Sequence, residues 1–492
     1  LTVRASTGVD LPWTEIDTLT VENVGAGNLN VNVLPDRDTV FSQSITGDVS
    51  VLRAAQTNAS GGTITISTSA GNISLPPSTT TPLVTTYGVT TASTGAITIR
   101  AGGDTGTIDV EQVVSGSTGA ITLSGGGQVR NFGPTGTITA SGLGNITVES
   151  RKANIQQDRT ISSVGGTITF RAATNIAMNA TDATTTAPVL VDASASSAAT
   201  GSIVFRAGGN IGLAVLNAVG AVTVTADDAF SEAGSTITGI VADGVGAITS
   251  AAGLAGSQLN IRGNTGAETG TVTLAAASGI GTSARPINTR IAGLIASNTT
   301  TGGLFVDEET ALTILSGSAG GITMAGANGQ MVLRTAAGAL TVNGTITATS
   351  GALADGNMLL KAADGAGTDG DVVINQQISL GKGSLTVLAE DDVVLGNTLV
   401  QVAGGGRTIE VVAENGSITM DPAGRFNSNS GNSGNQLLRA QGNIVVGVVT
   451  AGGGTVRIQS ATGTLTDASS DSASPQINIT ADKVRLLSLI HI

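Results

Sequence analysis

Few residues in this sequence are equipped for chemistry. Cysteine is absent and the one histidine is His491. Ser–His and Cys–His nucleophile pairs need an imidazole, and ordinary zinc sites need sulfur or imidazole ligands. With His491 set aside, for a reason given below, both are excluded. Carboxylates remain. Acidic runs stand just after apolar stretches at Asp227-Asp228, Asp307-Glu308-Glu309 and Glu390-Asp391-Asp392. Two carboxylates facing one groove can act as acid and base, but these runs are scattered and read as solvated corners. Asp364, Asp369 and Asp371 lie in a glycine-rich turn and carry the hard oxygen ligands that calcium takes. The tandem Gly-Gly-x-Gly-x-Asp nonapeptide of calcium-binding β-rolls is absent. Calcium at this turn is left open, and no metal ligand is assigned. The stretch Gly102-Gly103-Asp104-Thr105-Gly106 reads as a corner, because no lysine follows it to meet a phosphate. No catalytic or cofactor-binding residue is assigned either.

What would position such residues is a small repeated unit. In Gly201-Ser-Ile-Val-Phe-Arg-Ala-Gly-Gly-Asn-Ile-Gly-Leu213 a glycine opens each of two copies, one small or polar residue follows, and apolar residues then alternate. Period-two alternation marks a half-buried strand. It predicts Ile203, Phe205, Ile211 and Leu213 inward, with Val204 and Arg206 outward. Gly208-Gly209-Asn210 between them tolerates positive φ and predicts a corner. The same unit recurs as Gly62-Thr-Ile-Thr-Ile66, Gly95-Ala-Ile-Thr-Ile99, Gly119-Ala-Ile-Thr-Leu123, Gly144-Asn-Ile-Thr-Val148, Gly383-Ser-Leu-Thr-Val387 and Gly454-Thr-Val-Arg-Ile458, among others. A longer echo lies over it. The spacing from Gly279-Ile280 to Ile287 equals that from Gly8-Val9 to Ile16, and Asn298 to Leu304 matches Asn23 to Leu29. Three stretches break the rhythm: 76–92, 178–200 and 421–436. They read as loops leaving the array, where binding often resides.

Composition narrows the class. Of 492 residues 70 are glycine, 40% are apolar, 2% aromatic and 12% charged. Regular alternation argues against disorder, and so little aromatic content argues against an ordinary globular domain. Net charge is −13, and lysine occurs only at 152, 361, 382 and 483. That balance excludes the usual basic footprint of nucleic-acid binding or of docking on an anionic membrane. No apolar run is long enough to cross a bilayer. Zero cysteine excludes a disulfide framework. The chain opens in mid-strand at Leu1-Thr-Val-Arg-Ala5. It closes on Leu487-Ser-Leu-Ile-His-Ile492, which departs from the preceding texture. Those six residues are what CTG TCT CTT ATA CAC ATC encodes, which resembles the end sequence of a common transposase-based sequencing adapter. Residues 487–492 are therefore expected to be adapter read-through, and residues 1–486 one continuous solenoid array truncated at both ends.

The architecture expected is an all-β parallel β-helix, a β-solenoid, right-handed and forming a single elongated rod. A sandwich needs regular hairpin turns and a propeller needs a fixed period; neither is present, whereas a solenoid tolerates irregular coils. With roughly 20–30 residues per coil there would be about 20 coils, and ~4.8 Å per coil gives a rod on the order of 100 Å.

This texture resembles the filamentous-haemagglutinin-like bacterial exoproteins and adhesins of two-partner secretion, and related autotransporter passengers. The likeness rests on the Gly-x-Ile-x-Ile/Val strands. It also rests on the block Ser278-Gly-Ile-Gly281, Pro286-Ile-Asn-Thr289, Asn298, and Gly303-Leu-Phe-Val306 running through Asp307 to Leu312-Thr-Ile314. The resemblance implies a non-enzymatic structural repeat region of a secreted or cell-surface adhesin. It implies host or neighbouring-cell receptors or glycans as partners, and an outer-membrane secretion partner. The family's amino-terminal secretion domain is not among these residues. The alternative is a β-helix carbohydrate-active enzyme, a polysaccharide lyase or hydrolase, or a matrix scaffold. Such enzymes line a groove with carboxylates and basic and aromatic partners, and Trp13 and Tyr87 are too few to build a sugar-stacking cleft.

Overall fold

The computed structural model describes the chain except residues 35–46, 59–61, 78–87, 93, 183–184, 195–200, 229–244, 264–268, 317–320, 326–328, 349–356, 366–368, 431–433, 470–476 and 489–492, together with the side chains of Trp13, Thr269, Asn429 and Ser430. It divides into two compact units, Leu1–Gly270 and Thr271–Ile492. Each unit is a parallel β-helix in which most coils contribute three short strands, while the opening coils of the first unit contribute two. Each strand pairs with the equivalent strand one coil away.

In the first unit one ladder runs through Leu29–Val33, Ile64–Thr68, Ile97–Arg100, Ile121–Gly125, Ile146–Ser150, Ile168–Ala172, Ile203–Ala207 and Val222–Ala226, all parallel. Like stacks on like. Ile64, Ile97, Ile121, Ile146, Ile168 and Ile203 form one inward column, all buried. Phe170 and Phe205 stack in the neighbouring column with ring centroids 4.5 Å apart. Thr65, Thr98, Thr122, Thr147 and Thr169 form the outward column. The inward and outward directions expected for Ile203, Val204, Phe205, Arg206, Ile211 and Leu213 are those observed. β-Branched residues suit both sides of such a ladder because their stiff side chains pack against an identical neighbour.

In the second unit the corresponding ladder is Leu304–Glu308, Met331–Thr335, Met358–Ala362, Leu385–Ala389, Ile409–Ala413 and Gln436–Ala440. It ends in the paired strands Val448–Ser460 and Ile479–Ser488. The second of these strands includes Leu487 and Ser488, opposite Gln459 and Ser460.

The repeated opening glycine has a steric cause. A Cβ on Gly95 would lie 1.7 Å from the Gly62 carbonyl oxygen, one on Gly119 2.1 Å from that of Gly95, and one on Gly166 2.2 Å from that of Gly144. Each glycine lies against the glycine of the coil before, where only a bare backbone fits. The corner Gly208-Gly209-Asn210 corrects the sequence reading: neither glycine has positive φ. Gly209 is needed because a Cβ there would meet Asn175 Oδ1 at 2.5 Å. That oxygen accepts from the Asn210 backbone N–H at 2.7 Å, and Asn210 Oδ1 accepts in turn from Ala247 N–H at 2.9 Å. The corners are thus tied coil to coil by asparagine side chains.

Coils vary in length. Bonds between equivalent corners span 22 residues from Asn145 to Thr167 but 37 from Asn210 to Ala247. Each of the three stretches expected to be loops contains a rung of the array. These are Gly88–Thr91, Leu190–Asp192 and Arg425–Ser430, paired in parallel with rungs before and after. Each buries one large apolar side chain, Val89, Val191 or Phe426. Alternation with a single apolar residue leaves no period to read.

The longer echo has a structural counterpart. Val9 pairs with Leu29, and Ile280 bridges Leu304, each after a glycine of positive φ, Gly8 and Gly279. Asn23 Nδ2 donates to the Gly27 carbonyl, and Asn298 Nδ2 to those of Thr301 and Gly302. Each unit therefore carries the same buried asparagine holding the same kind of corner.

Candidate functional site

The acidic residues are the natural candidates, and the largest gathering is in the second unit. The strand Met358–Ala362 leads into Asp364, Val372–Ile374 follows Asp371, and Leu385–Ala389 leads into Glu390-Asp391-Asp392. Because Asp371 and Asp392 precede equivalent rungs, Val372 and Val393, stacking brings the two acidic runs together. Asp371 Oδ1 accepts from Asp392 N–H at 2.9 Å, and Asp392 Oδ1 from Ser417 N–H at 2.6 Å. The series continues from Ser417 Oγ to Asn443 N–H and from Asn443 Oδ1 to Thr464 N–H. Glu390 accepts from Asp364 N–H and Asp391 from Gly370 N–H, both at 2.9 Å. Such charge-assisted bonds to backbone donors satisfy the corners.

The crowding shows in the electrostatics. Desolvation and the neighbouring charges of Asp391, Glu390 and Asp369 raise the Asp364 carboxyl above the ordinary range. Burial raises Asp371, with the charges of Asp392, Asp369 and Asp391 adding to it against the Asp392 N–H bond. The geometry assigns Asp371, Glu390, Asp391 and Asp392 to corner bonding. Among the described residues no three His, Cys, Asp or Glu side chains are placed to hold a metal ion.

The other runs are also distributed among structural duties. Asp228 takes the outward Arg206 across the rung. Asp227 itself adopts positive φ, 59°. Asp307 and Arg334 pair through two bonds of 2.7 and 2.6 Å, and Glu309 pairs with Arg290 at 3.0 Å. Glu308 overturns the reading of these runs as solvated corners: it is buried, 1% exposed. Its carboxylate accepts from Thr289 Oγ1 at 2.6 Å, Thr310 Oγ1 at 2.8 Å, and the Ile291 and Thr310 N–H groups at 3.1 Å. Burial nevertheless raises its carboxyl, against those bonds. The signal was in the sequence. Leu304 and Val306 point inward, so alternation puts Glu308 inward too.

The glycine-rich stretch 102–106 is a corner. Its Gly103 carbonyl, with that of Ala101, accepts from the buried Arg151 guanidinium at 3.1 and 2.9 Å. A second buried cation, Arg159, is paired with Asp182 inside the first unit. Neither was singled out by sequence, because nothing local says which arginine turns inward. Stacking also gathers Arg457, Lys483 and Arg485 on the outward face of the last two rungs of the second unit. Tyr87 and His491 lie outside the described residues, as does the side chain of Trp13. Among the described residues no helix is long and apolar enough to cross a membrane. Searches against protein-family models, curated proteins and solved structures return no match to this chain.

Proposed function

We propose that the chain is a structural repeat region of a large bacterial cell-surface or secreted adhesin. In this reading it mediates or presents adhesion to receptors or glycans of a host or neighbouring cell and reaches the cell exterior through an outer-membrane secretion partner. The observation that carries the reading is how the chemistry-bearing side chains are used. Asp228, Asp307, Glu308, Glu309, Asp371, Glu390, Asp391 and Asp392 each bond a neighbouring coil or turn. What faces outward instead is repetitive, threonine over threonine on successive rungs. A regular, hydrogen-bonding face suits many weak contacts, which multiply into avidity when several engage at once.

The test is adhesion of microspheres coated with the chain to cell monolayers, beside albumin-coated spheres. Saturable adhesion above the albumin level is expected. Equal adhesion of the two would overturn the reading. Reproducible product release from acidic polysaccharides would replace it with the carbohydrate-active enzyme.

A further inference from the structure

The outward column of the main ladder in the second unit changes character along its length. It reads Thr386, Glu410, Leu437, Arg457 and Arg485, one residue per coil. Lys483 lies on the same face, opposite Thr455. In a chain of net charge −13 with 22 basic residues, three cations therefore meet on two adjacent rungs. Among the described residues none of the three has a carboxylate within ion-pair distance. Arg457 bonds only the neutral Gln459 side chain, at 2.9 Å. Three outward arginines elsewhere, Arg130, Arg206 and Arg334, are each paired with an aspartate.

Two of these cations, Arg457 and Arg485, border a surface groove of about 470 Å³, lined also by Thr408, Glu410, Asn435 and Leu437. Leu437 supplies an apolar floor between an acid at one end and two guanidinium groups at the other. We propose that this groove binds a linear polysaccharide bearing carboxylates, a polyuronate. The guanidinium fork matches a carboxylate with two parallel hydrogen bonds. Two such forks one coil apart, ~4.8 Å, meet an anionic chain running along the column. Threonine and asparagine suit sugar hydroxyls. Glu410 accepts from hydroxyl groups, which a sugar chain supplies at every residue. This inference deepens the adhesive reading and rests on it only for its biological purpose.

The experiment is titration of the full chain with oligogalacturonate by calorimetry at two salt concentrations. Heparin, duplex DNA and phosphatidylserine vesicles serve as rival ligands. Arg457→Gln/Arg485→Gln removes both forks at exposed positions, and Arg334→Gln removes a paired arginine elsewhere in the unit; circular dichroism confirms that both fold. Expected are salt-sensitive binding of oligogalacturonate, weakened about tenfold or more in the double variant through loss of charge-assisted bonds, and unchanged in Arg334→Gln. No binding, equal binding by the double variant, or tighter binding of heparin, DNA or vesicles with the same loss would overturn it. Repeating the microsphere assay separates the two claims. Saturable adhesion without oligogalacturonate binding sinks the groove and leaves the adhesin. Oligogalacturonate binding without adhesion does the reverse.

Discussion

Removing the buried carboxylate by Glu308→Ala probes how the second unit holds its first corner. Four donors lose their acceptor: the hydroxyls of Thr289 and Thr310 and the backbone N–H groups of Ile291 and Thr310. Thr310 is half-exposed, so its two groups can turn to water. The Ile291 N–H, beside a fully buried side chain, cannot. An orphaned buried donor costs about 1–3 kcal/mol, and bonds to a charged acceptor lie at the upper end. Against this, the variant no longer buries a charge. The balance is a loss of about 2–4 kcal/mol, read as a lower urea midpoint by far-UV circular dichroism with unchanged slope. Glu309→Ala, at an exposed ion pair, is expected to change stability by less than about 1 kcal/mol. The pH dependence has a definite sign. Burial raises the folded carboxyl above its unfolded value, so the folded chain holds the proton more tightly. The stability from this group is fully present below the ordinary glutamate range and is lost as pH rises through the raised folded value. In Glu308→Gln that slope should vanish. A Glu308→Ala variant within about 0.5 kcal/mol of the parent would refute the claim that this carboxylate holds the corner.

Three further outcomes are expected. Gly119→Ala places a Cβ 2.1 Å from the Gly95 carbonyl oxygen and should cost about 1–3 kcal/mol by overpacking; Gly212→Ala, with nothing within 4 Å, should be near neutral, and equal urea midpoints for the two would contradict the steric account. Arg159→Met strands Asp182, 6% exposed, and should cost about 3–5 kcal/mol, whereas Arg159→Met/Asp182→Leu recovers most of it; a thermal melt that shows the double variant no better than the single one argues against a paired charge. Asp391→Asn removes a negative charge that raises both Asp364 and Asp371. Their carboxyl titrations, followed by NMR, should move down toward the ordinary range, and unmoved titrations would show that the acidic corner is not coupled.

The sequence by itself determined the strand directions and the architecture. In Ile203–Ala207 the side chains alternate because successive Cβ atoms leave opposite faces of a strand, and that needs only neighbours along the chain. Rows of isoleucine, valine and threonine in short runs pointed to parallel stacking for the same local reason. What only the tertiary structure decided is which residue lies over which. Corner bonds span 22 residues in one coil and 37 in another, and no local period carries that information. So the meeting of Asp371 with Asp392, of Arg206 with Asp228, and of Arg457 with Arg485 was not legible. The steric cause of the repeated glycine was hidden likewise, since the atom it must avoid belongs to the previous coil. Glu308 stands between the two cases: its inward direction was written in the alternation, but the donors that make burial tolerable come from Thr289, Ile291 and Thr310, brought to it by the fold.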